Sequence, residues 1–214
     1  MSETKECRSY DFEVRAEQNE EHGHYVTGRA IVFRQAYDNG FFTEVIEPEA
    51  LNNTDMKDVR LLINHNTDMV PLARSRNNNA NSTMQLSVVP DEGLDIRADL
   101  DIERNATAME LYSATDRGDI SGMSFMFTVD GERWEDLDTE HPIRYITGIR
   151  KIFEVSAVTW PAYEQTTFEA RQADAGALES AEAVLESARA ELEADERAQK
   201  VRELTERLNK IKEA

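Results

Sequence analysis

Lys151-Ile152-Phe153-Glu154-Val155-Ser156-Ala157-Val158-Thr159-Trp160, KIFEVSAVTW, is the stretch on which the fold turns. β-Branched and aromatic residues dominate it, and apolar side chains fall at both odd and even positions. A strand covered on both faces has that composition. Glu154 lies in its middle, where a carboxylate is costly unless a charged or hydrogen-bonding group meets it. The stretch therefore predicts an inner strand and a partner for Glu154.

Working back from it, further short β-type runs appear: YVTGRAIVF (Tyr25–Phe33), FFTEVI (Phe41–Ile46), VRLLI (Val59–Ile63), TMQLSVV (Thr83–Val89) and LDIRADLD (Leu94–Asp101). Turn clusters separate them, at Tyr37-Asp38-Asn39-Gly40, Asn77–Asn81 and Pro90-Asp91-Glu92-Gly93. LDIRADLD alternates, with Leu94, Ile96, Ala98 and Leu100 on one face and Asp95, Arg97, Asp99 and Asp101 on the other. Asn105–Gly118 changes period: Ala108, Leu111, Tyr112 and Thr115 form a helical stripe between an N-cap at Asn105 and a stop at Gly118. Ile120–Val129 and Tyr145–Thr159 add two strands before Trp160-Pro161 closes the series. The reading is a mainly β protein with helices (α+β), mostly antiparallel and barrel-like.

Residues 1–20 read as an N-terminal arm, mobile or a partial edge strand, and 21–170 as the main domain. From 172 onward the chain has no aromatic residue and no proline, and is rich in Ala, Glu and Leu. Leu178, Ala181, Leu185, Ala188 and Leu192 follow helical spacing, as do Val201, Leu204, Leu208 and Ile211, with a register break between the two sets. Residues 171–214 are thus expected to be an amphipathic helical tail, in one piece or two, solvated and separable from the β domain.

The 24 basic and 43 acidic residues of the 214-residue chain give a formal charge of −19. Such a balance speaks against nucleic-acid backbone binding, which needs a basic surface. Cys7 is the single cysteine, so no intrachain disulfide can form. No signal-peptide-like run occurs in Met1–Gln18, and no apolar stretch approaches the ~18 residues of a membrane span. The expectation is a soluble intracellular protein with no membrane or nucleic-acid partner.

Four histidines occur. His22, His24 and His141 lie in polar or acidic surroundings and read as surface residues. His65, in LLINHN (Leu61–Asn66), sits at the edge of an apolar strand, where its ring is both anchored and reachable. In GDISGMSFMFTVD (Gly118–Asp130) the two-residue period separates two serines. Ser121 shares a face with Met123, Phe125, Phe127 and Val129, whereas Ser124 lies opposite, beside Gly122 and Met126. Ser124 is the better candidate for a hydroxyl opening into a groove. Each feature alone reads as structural. Together a histidine, a strand serine and a strand carboxylate are the parts of a nucleophile–base–orienter relay. The chain has no G-x-S-x-G elbow, H-E-x-x-H, C-x-x-C or glycine-rich phosphate loop. No metal or cofactor is expected.

Leu61–Ala73, Gly118–Phe127 and Arg144–Tyr163, with GRAIVF (Gly28–Phe33) and EGLDIRADL (Glu92–Leu100), resemble the head maturation (prohead) proteases of tailed bacteriophages. The resemblance spans roughly residues 25–165. It implies a serine endopeptidase with a fold like that of the herpesvirus assembly proteases, a β-barrel surrounded by helices. It places the family's histidine on His65, its nucleophile on Ser124 and its third member on Glu154. It implies cleavage of scaffolding protein, or of the scaffold-like segment of the major capsid protein, and self-cleavage, inside the immature capsid (procapsid) in the host cytoplasm. The tail is assigned to encapsidation or to removal by self-cleavage, and a homodimer follows from the herpesvirus analogy. An arginine loop serves the oxyanion in related viral proteases, which makes Arg144 or Arg150 the candidate; a surface ion pair is the better reading of Arg150. Met126 and Ala73 stand where family members often carry glycine. The rival readings are a non-catalytic scaffolding or capsid-assembly protein retaining the fold, a fused protease–scaffold, and a small-ester hydrolase.

Overall fold

A computed structural model describes residues 5–10, 14–38, 40–159 and 175–212. In chain order the first strands are β1 (Glu6–Tyr10), β2 (Arg15–Asn19), β3 (Gly23–Val32), β4 (Tyr37–Asp38) and β5 (Thr43–Ile46). After a 3₁₀ turn at Pro48–Leu51 come β6 (Val59–Ile63), β7 (Ala73–Ser75), β8 (Met84–Val89) and β9 (Gly93–Asp99). Helix α1 (Ala106–Asp116), β10 (Gly122–Glu135), β11 (Ile143–Val158) and helix α2 (Ala175–Lys212) complete the order.

Among the described residues the strands form two sheets. One has seven strands, ordered β1-β10-β11-β5-β4, with β6 on β11 and β7 on β6; the other has four, ordered β2-β3-β9-β8. The architecture is strand-rich α+β, as expected, but the barrel is not closed: the pairing stops at two separate sheets. Most pairings are antiparallel. The exceptions lie on β11, which takes β5 and β6 in parallel.

Burial explains the layout. Leu94, Ile96, Ala98 and Leu100 are all buried, while Asp95, Arg97 and Asp99 are half-buried and Asp101 is exposed, as the alternation requires. Ile31, Met84, Leu61, Phe125, Phe127 and Val155 meet in one core, each contributing about 1.5–3 kcal/mol by burial. Helix α1 buries Ala108, Leu111 and Thr115. The Asn105 side chain caps it by accepting from the backbone N–H groups of Thr107 and Ala108.

Strand β10 runs to Glu135 rather than Val129, because Gly131–Glu135, itself largely exposed, pairs with Ile143–Gly148. Its polar sequence gives no hydrophobic alternation to read. Gly131 and Gly148 face each other there, and a Cβ on Gly148 would come within 3.0 Å of the Gly131 nitrogen.

Within the segment expected to be an arm, β1 and β2 each form one edge of a sheet. The tail is a single helix, and it does touch the β body. Leu185 is buried against Phe42, with Trp134 and Leu137 alongside, and Arg189 donates to the Leu137 and Thr139 carbonyl oxygens. Farther along, Val201 and Leu204 are exposed. The expected stop at Trp160-Pro161 lies outside the described residues.

Candidate active site

β6 and β11 run in parallel, with Arg60 opposite Glu154 and Ile63 opposite Ala157. Just past β6 the chain takes two left-handed residues, Asn64 at φ 49° and His65 at φ 55°. Asparagine tolerates that region; for histidine it costs on the order of 1–2 kcal/mol. The Asn64 side chain secures the turn by accepting from the Thr159 backbone N–H at 3.0 Å. The result is a histidine folded back over β11.

Its ring bridges two groups. His65 Nδ1 lies 2.5 Å from Glu154 Oε1, and Nε2 lies 2.6 Å from Ser124 Oγ. With an ionised carboxylate, Nδ1–H donates to Glu154 and leaves the Nε2 lone pair facing the serine. The other carboxylate oxygen, Oε2, accepts the Ser156 hydroxyl at 2.6 Å, and Ser156 Oγ accepts the His65 backbone N–H at 3.1 Å. Both oxygens of a residue only 2% exposed are therefore satisfied. That is what Glu154 meets inside its strand.

Ser124 stands opposite Ser156 across the β10–β11 ladder and opposite Ser9 across β1–β10. It is fully buried. Its hydroxyl lies 2.8 Å from the Arg8 carbonyl oxygen as well as beside His65. Ser121 precedes β10 and is half-buried. The other histidines lie elsewhere: His22 beside Arg97, His24 edge-on to Tyr112, and His141 beside Thr43. Met126 pairs with Glu154 in the ladder, and Ala73 is buried on β7. An open groove of about 860 Å³, lined by Ile63, Asn64, Asn66, Met69, Leu72 and Arg104, lies beside the turn that carries His65, without His65, Ser124 or Glu154 in its lining. Among the described residues no cluster of His, Cys, Asp or Glu is placed to hold a metal ion, and no helix is long and apolar enough to cross a membrane.

Arg144 is not placed as an oxyanion donor. Its Nε donates to Glu132, one terminal nitrogen to Glu6 and Glu44, and the other to Glu6 and Glu132. All three nitrogens are thus committed to carboxylates. Arg8 completes the cluster, with Nε 2.5 Å from Glu44 Oε1 and a terminal nitrogen 2.7 Å from Glu44 Oε2 and 2.6 Å from Glu6. Glu6, Arg8, Glu44 and Arg144 are all buried. Arg150 is exposed.

Burial pushes the Glu6 carboxyl up, but the Arg8 and Arg144 guanidinium groups outweigh it and hold Glu6 below its ordinary 4.5. A carboxyl depressed on folding stabilises the protein above its unfolded value and loses that contribution as pH falls through the folded one. Wild type is therefore expected to exceed Glu6→Gln in stability by a constant margin above pH 4.5 that shrinks with further acidification. Urea midpoints of both proteins from pH 6 to pH 3 check this; a margin that widens in acid would contradict it.

Sequence reasoning passed over Ser156 and the buried ionic cluster. The two-residue period puts Ser156 on the face of Glu154, a readable signal. The cluster joins Glu6, Arg8, Glu44, Glu132 and Arg144 from four distant segments and leaves no local pattern.

A family model described as caudovirus prohead serine protease matches residues 10–180. The chain belongs to that family. No curated protein and no solved structure matches it. Membership in the prohead serine protease family carries a capsid-maturation protease role, and the match runs through the turn after β6 that bears His65 and through β10 and β11, which bear Ser124 and Glu154.

Proposed function

We propose that the chain is a serine endopeptidase in which Ser124 is the nucleophile, His65 the general base and Glu154 the group that orients His65. The observation that supports this most is the imidazole spanning Glu154 and Ser124 at 2.5 and 2.6 Å. As Oγ bonds to the scissile carbonyl carbon, its proton passes to His65 Nε2. His65 returns that proton to the amine as the C–N bond breaks. Water then attacks the acyl ester, its proton goes to His65, and Ser124 regains a proton as the acid product leaves. Glu154 stays ionised throughout and stabilises the imidazolium.

The substrates proposed from the family are scaffolding protein or the scaffold segment of the major capsid protein, and the chain itself, inside the procapsid of a host cell. Residues 21–170 are the protease domain on this reading, 1–20 its N-terminal arm, and 171–214 the tail that is packaged or trimmed. A homodimer and a fold kinship with herpesvirus assembly proteases belong to the same proposal; sedimentation at low micromolar concentration tests the first and an experimental structure the second.

Co-expression with the capsid protein, followed by intact mass over time, tests the activity. Self-trimming or capsid cleavage is expected in wild type and in Ser121→Ala, and not in Ser124→Ala. Loss in Ser121→Ala with retention in Ser124→Ala would reverse the assignment of faces. Stable masses throughout would favour the non-catalytic scaffold. Ser156→Ala, which removes a donor to Glu154 and an acceptor for the His65 backbone, is expected to lower kcat on the order of 10²-fold by misplacing the ring. A rise in KM at unchanged kcat would count against that positioning role.

A further inference from the structure

Strand β1 adds antiparallel to the edge of β10, with Ser9 opposite Ser124 and Arg8 opposite Phe125. Strand addition beside a nucleophile is how an extended peptide substrate docks. β1 has the marks of such a peptide. Its Arg8 carbonyl oxygen lies 2.8 Å from Ser124 Oγ, while His65 Nε2 lies 2.6 Å from the same atom. A hydroxyl has one proton, so the strand's carbonyl competes with the base for it. With β1 in place Ser124 has no solvent exposure, and no substrate carbonyl can reach it.

The residue whose carbonyl meets the nucleophile also has the most specialised side-chain pocket of the strand. Glu44 grips the Arg8 guanidinium through both carboxylate oxygens, at 2.5 and 2.7 Å. The Tyr37 and Phe127 rings lie 5.9 and 5.6 Å from the guanidinium carbon, within cation–π range. Glu6 comes from β1 itself, so Glu6 and Arg8 leave together if the strand leaves. What stays is Glu44 and Glu132 against Arg144, two carboxylates to one guanidinium, with Glu44 Oε1 stripped of its Arg8 partner. A pocket left negative, aromatic-walled and shaped for a bidentate contact suits a basic side chain.

We propose that β1 is a built-in occupant of the substrate groove, and that Glu44 selects arginine or lysine at the residue supplying the scissile carbonyl. This rests on Ser124 as nucleophile. The strand blocks the site until it is displaced, and the side chain it places in the pocket reports what the pocket recognises.

The test digests a mixed peptide library with the full chain, using Ser124→Ala as the blank and mass spectrometry to read every cut. Wild type is expected to cut at least tenfold more often after Arg or Lys than after other residues. Arg8→Gln, which loosens the strand, is expected to cut several-fold faster with the same preference, and Glu44→Gln to lose the preference. If Glu44→Gln does not fold, replacing arginine by citrulline in a cleaved peptide removes the same charge from the other side and is expected to slow its cutting by about 10²-fold. Ser124-dependent cuts without a basic preference, or an Arg8→Gln chain no faster than wild type, would overturn the proposal. If no Ser124-dependent cut occurs, the nucleophile assignment fails, and the groove is judged by binding. An added Lys5–Tyr10 peptide (KECRSY) should then accelerate amide exchange at Cys7–Tyr10 of Arg8→Gln, and its arginine-to-citrulline version should not. Equal effects of the two peptides, or none, would dismiss the pocket.

Discussion

His65→Ala and Ser124→Ala, singly or together, are expected to lower peptide cleavage by the same factor, about 10⁴–10⁶-fold. On the proposed mechanism the parts act as a unit. A serine hydroxyl without a base is almost inert at neutral pH, and a base without a hydroxyl has nothing to activate. Once either is gone the second costs little more, so the double variant should sit within a few-fold of each single one. Glu154→Gln should fall short of that loss, because the imidazole and hydroxyl remain 2.6 Å apart while the tautomer is no longer fixed. Single-turnover rates on a cleaved peptide make the comparison. Losses in the single variants that multiply in the double would mean that His65 and Ser124 work independently.

Arg144→Met is expected to cost about 3–5 kcal/mol of stability, the penalty for leaving buried carboxylates without their cation. Arg144 serves Glu6, Glu44 and Glu132 at once, and its burial opposes its charge less than Glu44 and Glu6 favour it, so its guanidinium is held above its ordinary range. In a chain of this size the loss lowers Tm on the order of 10 °C. Replacing Glu6, Arg8, Glu44 and Arg144 together by apolar residues of similar volume should cost less than Arg144→Met alone, since no buried charge is then left stranded. Calorimetry of the two proteins decides it. A quadruple variant less stable than the single one would show that the ionic cluster holds β1 to the sheet by more than charge balance.

The local rules reached the strands and the faces. LDIRADLD could be placed because four apolar residues repeat at period two, and Asn105 because a helix start leaves N–H groups for a short polar side chain. Ser124 was separable from Ser121 by parity alone. KIFEVSAVTW announced a covered strand and a carboxylate in need of company. What parity cannot supply is which strands neighbour one another. The parallel placement of β6 against β11, the left-handed turn at Asn64-His65 and the seating of Arg8 on Glu44 all follow from long-range packing. Arg144 shows the opposite failure: a strand arginine near the site invited an anion-binding role, while carboxylates from three other strands had already claimed it. The hairpin at Gly131–Gly148 went unread because its first strand, Gly131–Glu135, is polar and largely exposed.

The two parallel ladders on β11 bear on when His65, Ser124 and Glu154 can meet. His65 and Glu154 are separated by 89 positions in the chain, and His65 and Ser124 by 59. During translation the imidazole emerges first, the hydroxyl next and the acid last. A growing polypeptide holds its ends loosely, and joining such remote segments demands loop-closure entropy before any contact repays it. Nascent chains shorter than β11 thus carry a hydroxyl with no oriented base. On the proposed relay the three groups meet only once β11 has joined the sheet, and the centre so completed is still covered by β1.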